Sequence, residues 1–323
     1  MARKVRDWKL LTETYSVTQQ NRLSRYESSK AIGDRIAFKM LTLRSQFLPH
    51  YFGGVPKWRL WLRSFGGKRV LPDFACVGAI KSGTSDVSAY LFQHPCILPP
   101  LSKEIPTTNT DRWLPYYPTV REMEEVAKEH GKALTGYFLP MIHNVTLMDN
   151  YHAARPDAKI ILVLRNPVDR AYSHYKWDLL LGGKRASTSQ YYKTFADYVN
   201  FSLDLFPAMP VPSSSPIQLL QAGIYVKSVE LWIERFGREN IHILRAEDFF
   251  ENVATSVCGI HDFLGIPALK PELHAIVNQN PIKAPPADEV TRAKLYDFYR
   301  PWNEKLYAVI GRDMCWEPRE PSN

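Results

Sequence analysis

At 323 residues the chain has room for two domains, or for one α/β domain with an extension, at about 150 residues per domain. Hydrophobic residues make up 45% and charged residues 23%, as in an ordinary globular protein, and 16 Gly with 24 Pro exclude collagen-like or low-complexity character. The formal charge of +8 is uneven: residues 1–70 hold 15 Lys or Arg against 4 Asp or Glu, whereas residues 71–323 hold 26 against 29.

Residues 1–70 read as a basic, mainly helical extension. Ile32, Ile36, Phe38, Met40, Leu41 and Leu43, then Trp58, Leu60, Trp61 and Leu62, are too densely apolar for a disordered tail. Such a segment packs on the main body as a scaffold or docks on an anionic surface. The opening MARKVRDWKLL is basic without an apolar stretch or a small-residue cleavage site, so no signal peptide is expected. No run approaches the ~18 consecutive apolar residues of a membrane span. The four cysteines (Cys76, Cys96, Cys258, Cys315) lack CxxC spacing, so neither a zinc knuckle nor a disulfide framework is expected. Reduced thiols and a cytoplasmic location follow as the expectation.

From residue 71 strands alternate with helices. Phe74–Ala79 is a short buried strand, and a helix follows to about Gln93 with Val87, Tyr90 and Leu91 at helical spacing. Lys103 and Glu104 fall in a loop, ahead of an aromatic, proline-broken stretch from Trp113 to Pro118. Glu122–Gly131 is a charged helix ended by glycine. Lys159–Leu164 (KIILVL) is a continuous apolar run of the kind that a parallel strand covered on both faces requires. Pro167 then sits where a first helical residue belongs. Leu203–Pro216 is loop-rich. Ala222–Phe236 is helical, with an apolar stripe of Tyr225, Val229, Trp232, Ile233 and Phe236. Ile241–Leu244 is a strand, and Thr291–Ile310 a helix interrupted at Pro301. This alternation predicts an α/β fold with a central parallel sheet flanked by helices.

Two segments carry chemistry. Val77 to Ser85 (VGAIKSGTS) is a small, glycine-containing turn from strand to helix. It points backbone N–H groups at one spot, adds the positive end of the helix, and supplies Lys81, Thr84 and Ser85. That is a phosphate cradle, though not the Walker A order, because Lys81 precedes Gly83. Leu164 to Ser173 (LRNPVDRAYS) puts Arg165 at the carboxyl end of a buried strand and Ser173 about two turns into the next helix. Arg165 can fork onto a phosphate and Ser173 can donate to the same group. Two anion sites at neighbouring strand ends suit a nucleotide with phosphates at both ends of its ribose. Arg170 is expected to serve structure, paired with an acid or the helix surface, and His174 to pack.

The pair KSGTS and RNPVDRAYSHY resembles the PAPS-dependent sulfotransferases, in particular the carbohydrate branch with the heparan sulfate and chondroitin enzymes. The resemblance runs from about Pro72 to Trp316 and includes Lys103-Glu104, Gly223-Ile224-Tyr225 ahead of Trp232, and Phe298 to Asn303. It implies a P-loop-like sulfotransferase fold over 71–323. It also implies 3′-phosphoadenosine 5′-phosphosulfate (PAPS) as donor, with the 5′-phosphosulfate on Lys81, Ser82, Gly83, Thr84 and Ser85 and the 3′-phosphate on Arg165 and Ser173. Lys283, in the glycine-free loop Asn280–Pro286, is expected to assist. Lys81 and Glu104 are the implied catalytic residues, Glu104 as general base on the acceptor hydroxyl. Relatives continue after that glutamate with Pro-His and aromatics, whereas this chain reads Ile105-Pro106-Thr107-Thr108. At Ser228 relatives carry a histidine that this chain lacks.

No metal is expected, since His94, His143 and His152 lack ligand spacing. Trp113, Tyr116, Tyr117, Trp177, Tyr191 and Tyr192 are candidates for an acceptor cleft, with core packing as the competing role. A nucleotide kinase would require Gly-Lys-Ser/Thr and an acidic strand end, and a nucleotide- or polyanion-binding module would leave Glu104 unexplained. Because 71–323 is net acidic, the expected acceptor is neutral or cationic: a hydroxyl of a small metabolite, as in natural-product tailoring, with a neutral saccharide second. No nucleic-acid partner is expected, and a homo-oligomer is compatible with the sequence.

Overall fold

The computed structural model describes residues 50–52, 55–105, 107–182, 193–207, 218–274, 276 and 279–318. Most of the basic extension, Tyr191, Tyr192 and the Pro/Ser-rich 208–217 lie outside them. The described part of the extension contributes the strand β1 (His50–Phe52) and the helix α1 (Lys57–Ser64).

Four parallel strands form the central sheet: β2 (Phe74–Gly78), β4 (Gly136–Phe138), β5 (Lys159–Leu164) and β6 (Ile241–Arg245), in the order β4-β2-β5-β6. All of β2 is buried, as is β5 from Ile160 onward. Successive strand residues point to opposite faces. Ala75, Val77, Ile160, Leu162 and Leu164 therefore enter one core with Tyr225, Val229 and Trp232. Phe74, Cys76, Ile161 and Val163 enter another with Val87, Leu91, Phe249 and Ile260. Burial on both faces explains why β5 reads as an unbroken apolar run. Each fully buried Val, Leu, Ile or Phe among them contributes roughly 1.5–3 kcal/mol, so these two strands anchor whatever their ends carry.

The strand order places the site. From β2 the chain crosses to β4 on one side, and from β5 it crosses to β6 on the other. The connections leaving β2 and β5 thus diverge, and a crevice opens between the carboxyl ends of these neighbours. Their register also slips between Cys76 and Gly78, just where β2 gives way to its turn.

The helices are α2 (Thr84–Leu91), α3 (Val120–His130), α4 (Val145–Ala154), α5 (Pro167–Gly182), α6 (Phe195–Leu205), α7 (Gln218–Gln221), α8 (Val226–Phe236), α9 (Ala246–Glu251), α10 (Val253–Leu264) and α11 (Glu289–Ile310). In α3 a Thr119–Glu122 capping box opens the helix and Gly131 closes it at φ 80°. Pro167 opens α5 as expected.

Three expectations change. Lys103 and Glu104 lie not in a loop but in β3 (Ser102–Glu104), parallel to β1; three residues are too few to show a period. The helix expected from Ala222 begins only at Val226. Before it the chain turns through Gly223, whose backbone lies so close to Tyr299 that a Cβ would meet the phenol oxygen at 2.7 Å. Pro301 does not interrupt α11. It is exposed, so the carbonyl it leaves without a partner is on the wet side. Leu295, Tyr299, Asn303, Leu306 and Ile310 bury one continuous face across it.

Candidate active site

The turn after β2 is built for an anion. Lys81 adopts φ 68°, a left-handed conformation that costs a non-glycine residue about 1–2 kcal/mol. Gly83 follows at φ 92°, and a Cβ there would also meet the Phe250 ring at 2.7 Å. The strained turn aims the N-terminus of α2 at the crevice. Ser82 Oγ is buried beside it without a hydrogen-bond partner. Lys81 is half-buried, with Nζ 4.1 Å from the centroid of the Trp177 ring. Burial, with Arg165 nearby, pushes its ammonium down to about 7.

The turn after β5 meets the first one directly. Arg165 Nη1 donates to the Lys81 carbonyl at 3.1 Å, joining two motifs 84 residues apart. Tyr225 OH donates to the Arg165 carbonyl at 2.9 Å. The Asn166 N–H donates to Glu247 Oε1 at 2.8 Å, and Asn166 Nδ2 to the Trp316 carbonyl at 3.0 Å. Trp316 Nε1 closes this network on Glu247 Oε2 at 3.2 Å. The end of β5 is therefore fixed from behind, leaving the guanidinium at the crevice.

Helix α5 supplies one wall. Asp169, Tyr172, Ser173, Lys176 and Trp177 line the cavity, and their spacing of three or four residues is that of a single helix face. The opposite face is structural. Arg170 is wholly buried and structural: Nη2 donates to the Leu219 carbonyl and Nη1 to His174 Nδ1 at 3.0 Å, one turn along the same helix, with the Asp178 carboxyl also within reach of its charge. Burial holds the His174 imidazole well below its usual range, so the ring accepts that bond as a neutral group.

Glu104 also lines the cavity, carried there by β3. The Lys103–Glu104 pair is buried rather than exposed, with Lys103 Nζ 2.6 Å from Glu104 Oε1. Together with Ile80, Gly83, Thr84, Ser85, Asp86, Pro140, Phe250, Ile276, Gln279 and Asn280 these groups enclose about 410 Å3. Lys283 is exposed and outside the lining, although Gln279 and Asn280 of the preceding segment belong to it.

Of the six aromatics considered for an acceptor cleft, Trp177 lines the cavity. Trp113, Tyr116 and Tyr117 are buried in the core, Trp113 stacked on Tyr137 at 4.2 Å. His143 occupies the neighbourhood of Ser228, its Nδ1 2.7 Å from Ser228 Oγ, and burial pushes it down to about 4. Sequence reasoning missed Lys176, which α5 spacing from Ser173 would have found. It also missed Phe250, Ile276, Gln279 and Asn280, which come from a helix end and from irregular chain without a period.

The lining carries the cations Lys81, Arg165 and Lys176 against the acids Asp86, Glu104 and Asp169. Two of those acids are paired with cations outside it, Glu104 with Lys103 and Asp169 with Arg292 at 2.8 Å. The cavity therefore favours a ligand with several negative charges. Among the described residues no group of three or more His, Cys, Asp or Glu is arranged to hold a metal, and no helix is long and apolar enough to cross a membrane.

The model of the sulfotransferase domain family matches residues 71–297. Human carbohydrate sulfotransferase 15 is 29% identical over 192 residues, covering 52% of this chain and 33% of that protein. Mouse heparan sulfate glucosamine 3-O-sulfotransferase 3B1 is 30% identical over 188 residues, 51% of this chain and 45% of the relative. The human 3-O-sulfotransferase 6 is 24% identical over 279 residues, 79% and 76% of the two chains. The alignment with the carbohydrate enzyme thus spans a third of that protein's length. The crystal structure of a sulfotransferase from Alicyclobacillus acidocaldarius superposes with a TM-score of 0.57 and 26% identity, over 76% of this chain and 99% of that one. The family match covers both strand-end turns, the strands that carry them and α5, and this chain belongs to the sulfotransferase family.

Proposed function

We propose that this protein transfers a sulfuryl group from PAPS to a hydroxyl of a saccharide, releasing adenosine 3′,5′-bisphosphate. The observation that carries this reading is the Arg165–Lys81 contact, which sets two cationic turns around one cavity at the divergence of β2 and β5. The donor set suits a nucleotide phosphorylated at both ends. An ammonium, a helix N-terminus and the hydroxyls of Thr84 and Ser85 serve one end, and a guanidinium with the Ser173 hydroxyl serves the other. Ser82, by contrast, is wholly buried and does not belong to the lining.

When bound, PAPS supplies an activated sulfuryl group, whose S–O bond to the 5′-phosphate breaks as the acceptor oxygen bonds to sulfur. Lys81 and the backbone N–H groups of residues 83–85 neutralise charge on the departing phosphate, the Ser82 N–H being bound to the Ala79 carbonyl at 3.2 Å. Glu104 accepts the acceptor's proton, with Lys103 holding the carboxylate at the cavity wall. Arg165 and Ser173 select the 3′-phosphate.

The saccharide takes precedence over the small metabolite favoured by net charge alone. Net charge is a sum over the whole surface, and it does not separate a neutral saccharide from a neutral metabolite. The relatives at 29% and 30% identity carry carbohydrate or glucosamine in their names, which supports the same choice. The test has two arms. Thermal stabilisation by adenosine 3′,5′-bisphosphate, exceeding that by ATP with magnesium, is expected, and the reverse order would favour a nucleotide kinase. Mass-detected transfer from PAPS should label neutral saccharides ahead of small hydroxylated metabolites; labelling of the metabolites alone would overturn the acceptor assignment.

A further inference from the structure

Lys81 is central to the proposed chemistry, and its ammonium already has a neighbour in the wall. Trp177 is only 9% exposed and lines the cavity, and the Lys81 Nζ stands over its ring at 4.1 Å. A cation over an indole face is attracted by the ring's quadrupole, more strongly where water is excluded. The charged groups around Lys81 come from three elements. Arg165 at the end of β5 and Lys176 on α5 oppose its charge, while Asp178 on α5 and Glu104 on β3 favour it. His174, also on α5, is buried and neutral.

Both favouring carboxylates are engaged elsewhere. Glu104 is 2.6 Å from Lys103 Nζ, and Asp178 accepts from Tyr198 OH, with His174 Nε2 3.7 Å away. Burial also pushes the Asp178 carboxyl up to about 6, so part of its charge is lost near neutrality. The indole, by contrast, does not titrate. It favours the ammonium without forming a salt bridge that an incoming phosphate would have to break.

We propose that Trp177 is a positioning residue whose indole face holds the Lys81 ammonium charged and at the cavity wall. This deepens the sulfotransferase reading and rests on it for the role of Lys81. The full-length, ligand-free protein tests it directly. The rate of Lys81 acetylation by acetic anhydride is measured against pH by mass spectrometry of the Lys81 peptide, for wild type, Trp177→Met and Trp177→Phe. Methionine keeps an apolar side chain but has no π face, whereas phenylalanine retains one.

The midpoint should move to lower pH by about half a unit or more in Trp177→Met, the size expected for loss of a cation–π contact. In Trp177→Phe it should stay close to wild type. An unmoved or alkaline midpoint in Trp177→Met would overturn the proposal, as would equal shifts in both variants. Calorimetric binding of adenosine 3′,5′-bisphosphate over the same pH range separates the two readings. If the Lys81 midpoint shifts as expected but wild type does not bind the nucleotide, the sulfotransferase reading fails and the Trp177 contact stands. If the nucleotide binds and the midpoint is indifferent to Trp177, the positioning role fails alone.

Discussion

In the role proposed for it, neutralising a leaving phosphate, Lys81 is unusual because its charge is marginal at neutral pH. Burial lowers Lys81 from the ordinary lysine range to about 7, so in the free enzyme the ammonium is present below that pH and lost above it. The donor's negative charges favour the protonated form. It follows that kcat/KM for PAPS should fall as pH rises through about 7. Lys81→Ala should lower turnover by ~100-fold or more, the scale for losing a preorganised charge stabiliser, and should abolish that alkaline fall. Steady-state kinetics against pH checks both, and an unchanged profile in the alanine variant would remove Lys81 from the rate-limiting chemistry. Glu104 has a different signature. Glu104→Gln keeps the side chain's shape but removes the proton acceptor, so turnover should drop by ~100- to 10,000-fold. Calorimetry should show bisphosphate binding unchanged in that variant, because the defect lies in proton transfer.

At the scale of elements, the site is a product of strand order. β2 and β5 end side by side and send their connections in opposite directions, so the two turns meet without either being long. Arg165 depends on this arrangement, and on Tyr225, Glu247 and Trp316 behind it. Arg165→Ala should cost about 2 kcal/mol of binding for the nucleotide bearing a 3′-phosphate, the scale of a charge-assisted contact. It should leave the affinity for adenosine 5′-monophosphate almost unchanged, and calorimetric affinities for the two nucleotides give the ratio. β2 and β5 were legible in the sequence because burial on both faces writes a continuous apolar run, as in Lys159–Leu164. Their turns were legible because glycine, proline and arginine stand where strand becomes helix. β1, β3 and β4 were not, since three residues cannot display a period. The lining from Phe250, Ile276, Gln279 and Asn280 was hidden for a related reason: only tertiary folding brings these residues to the cavity. Pro301 misled because a proline's cost depends on whether its face of the helix is wet.

Across the whole molecule the charge is divided, with residues 71–323 carrying 26 basic against 29 acidic side chains and the excess of cations lying in the first 70. Within the cavity Lys81 and Arg165 are assigned to the donor, and Lys176 is the remaining cation of the lining. An acceptor with many sulfates or carboxylates would need an extended basic track, and its binding would weaken steeply as salt shortens the range of the field, to about 8 Å at physiological ionic strength. A neutral saccharide needs no such track. Its binding rests on hydrogen bonds and apolar contact, which salt leaves nearly untouched. The acceptor is therefore expected to be uncharged. Its KM should change by less than about twofold as the Debye length falls from roughly 10 Å to 3 Å, whereas the KM for PAPS should rise across the same series. Measuring both constants with a neutral oligosaccharide and with heparan- and chondroitin-type polymers decides the matter. Efficient transfer to the polymers alone, with a KM that climbs with salt, would mean that the basic residues of the first 70 form the acceptor track after all.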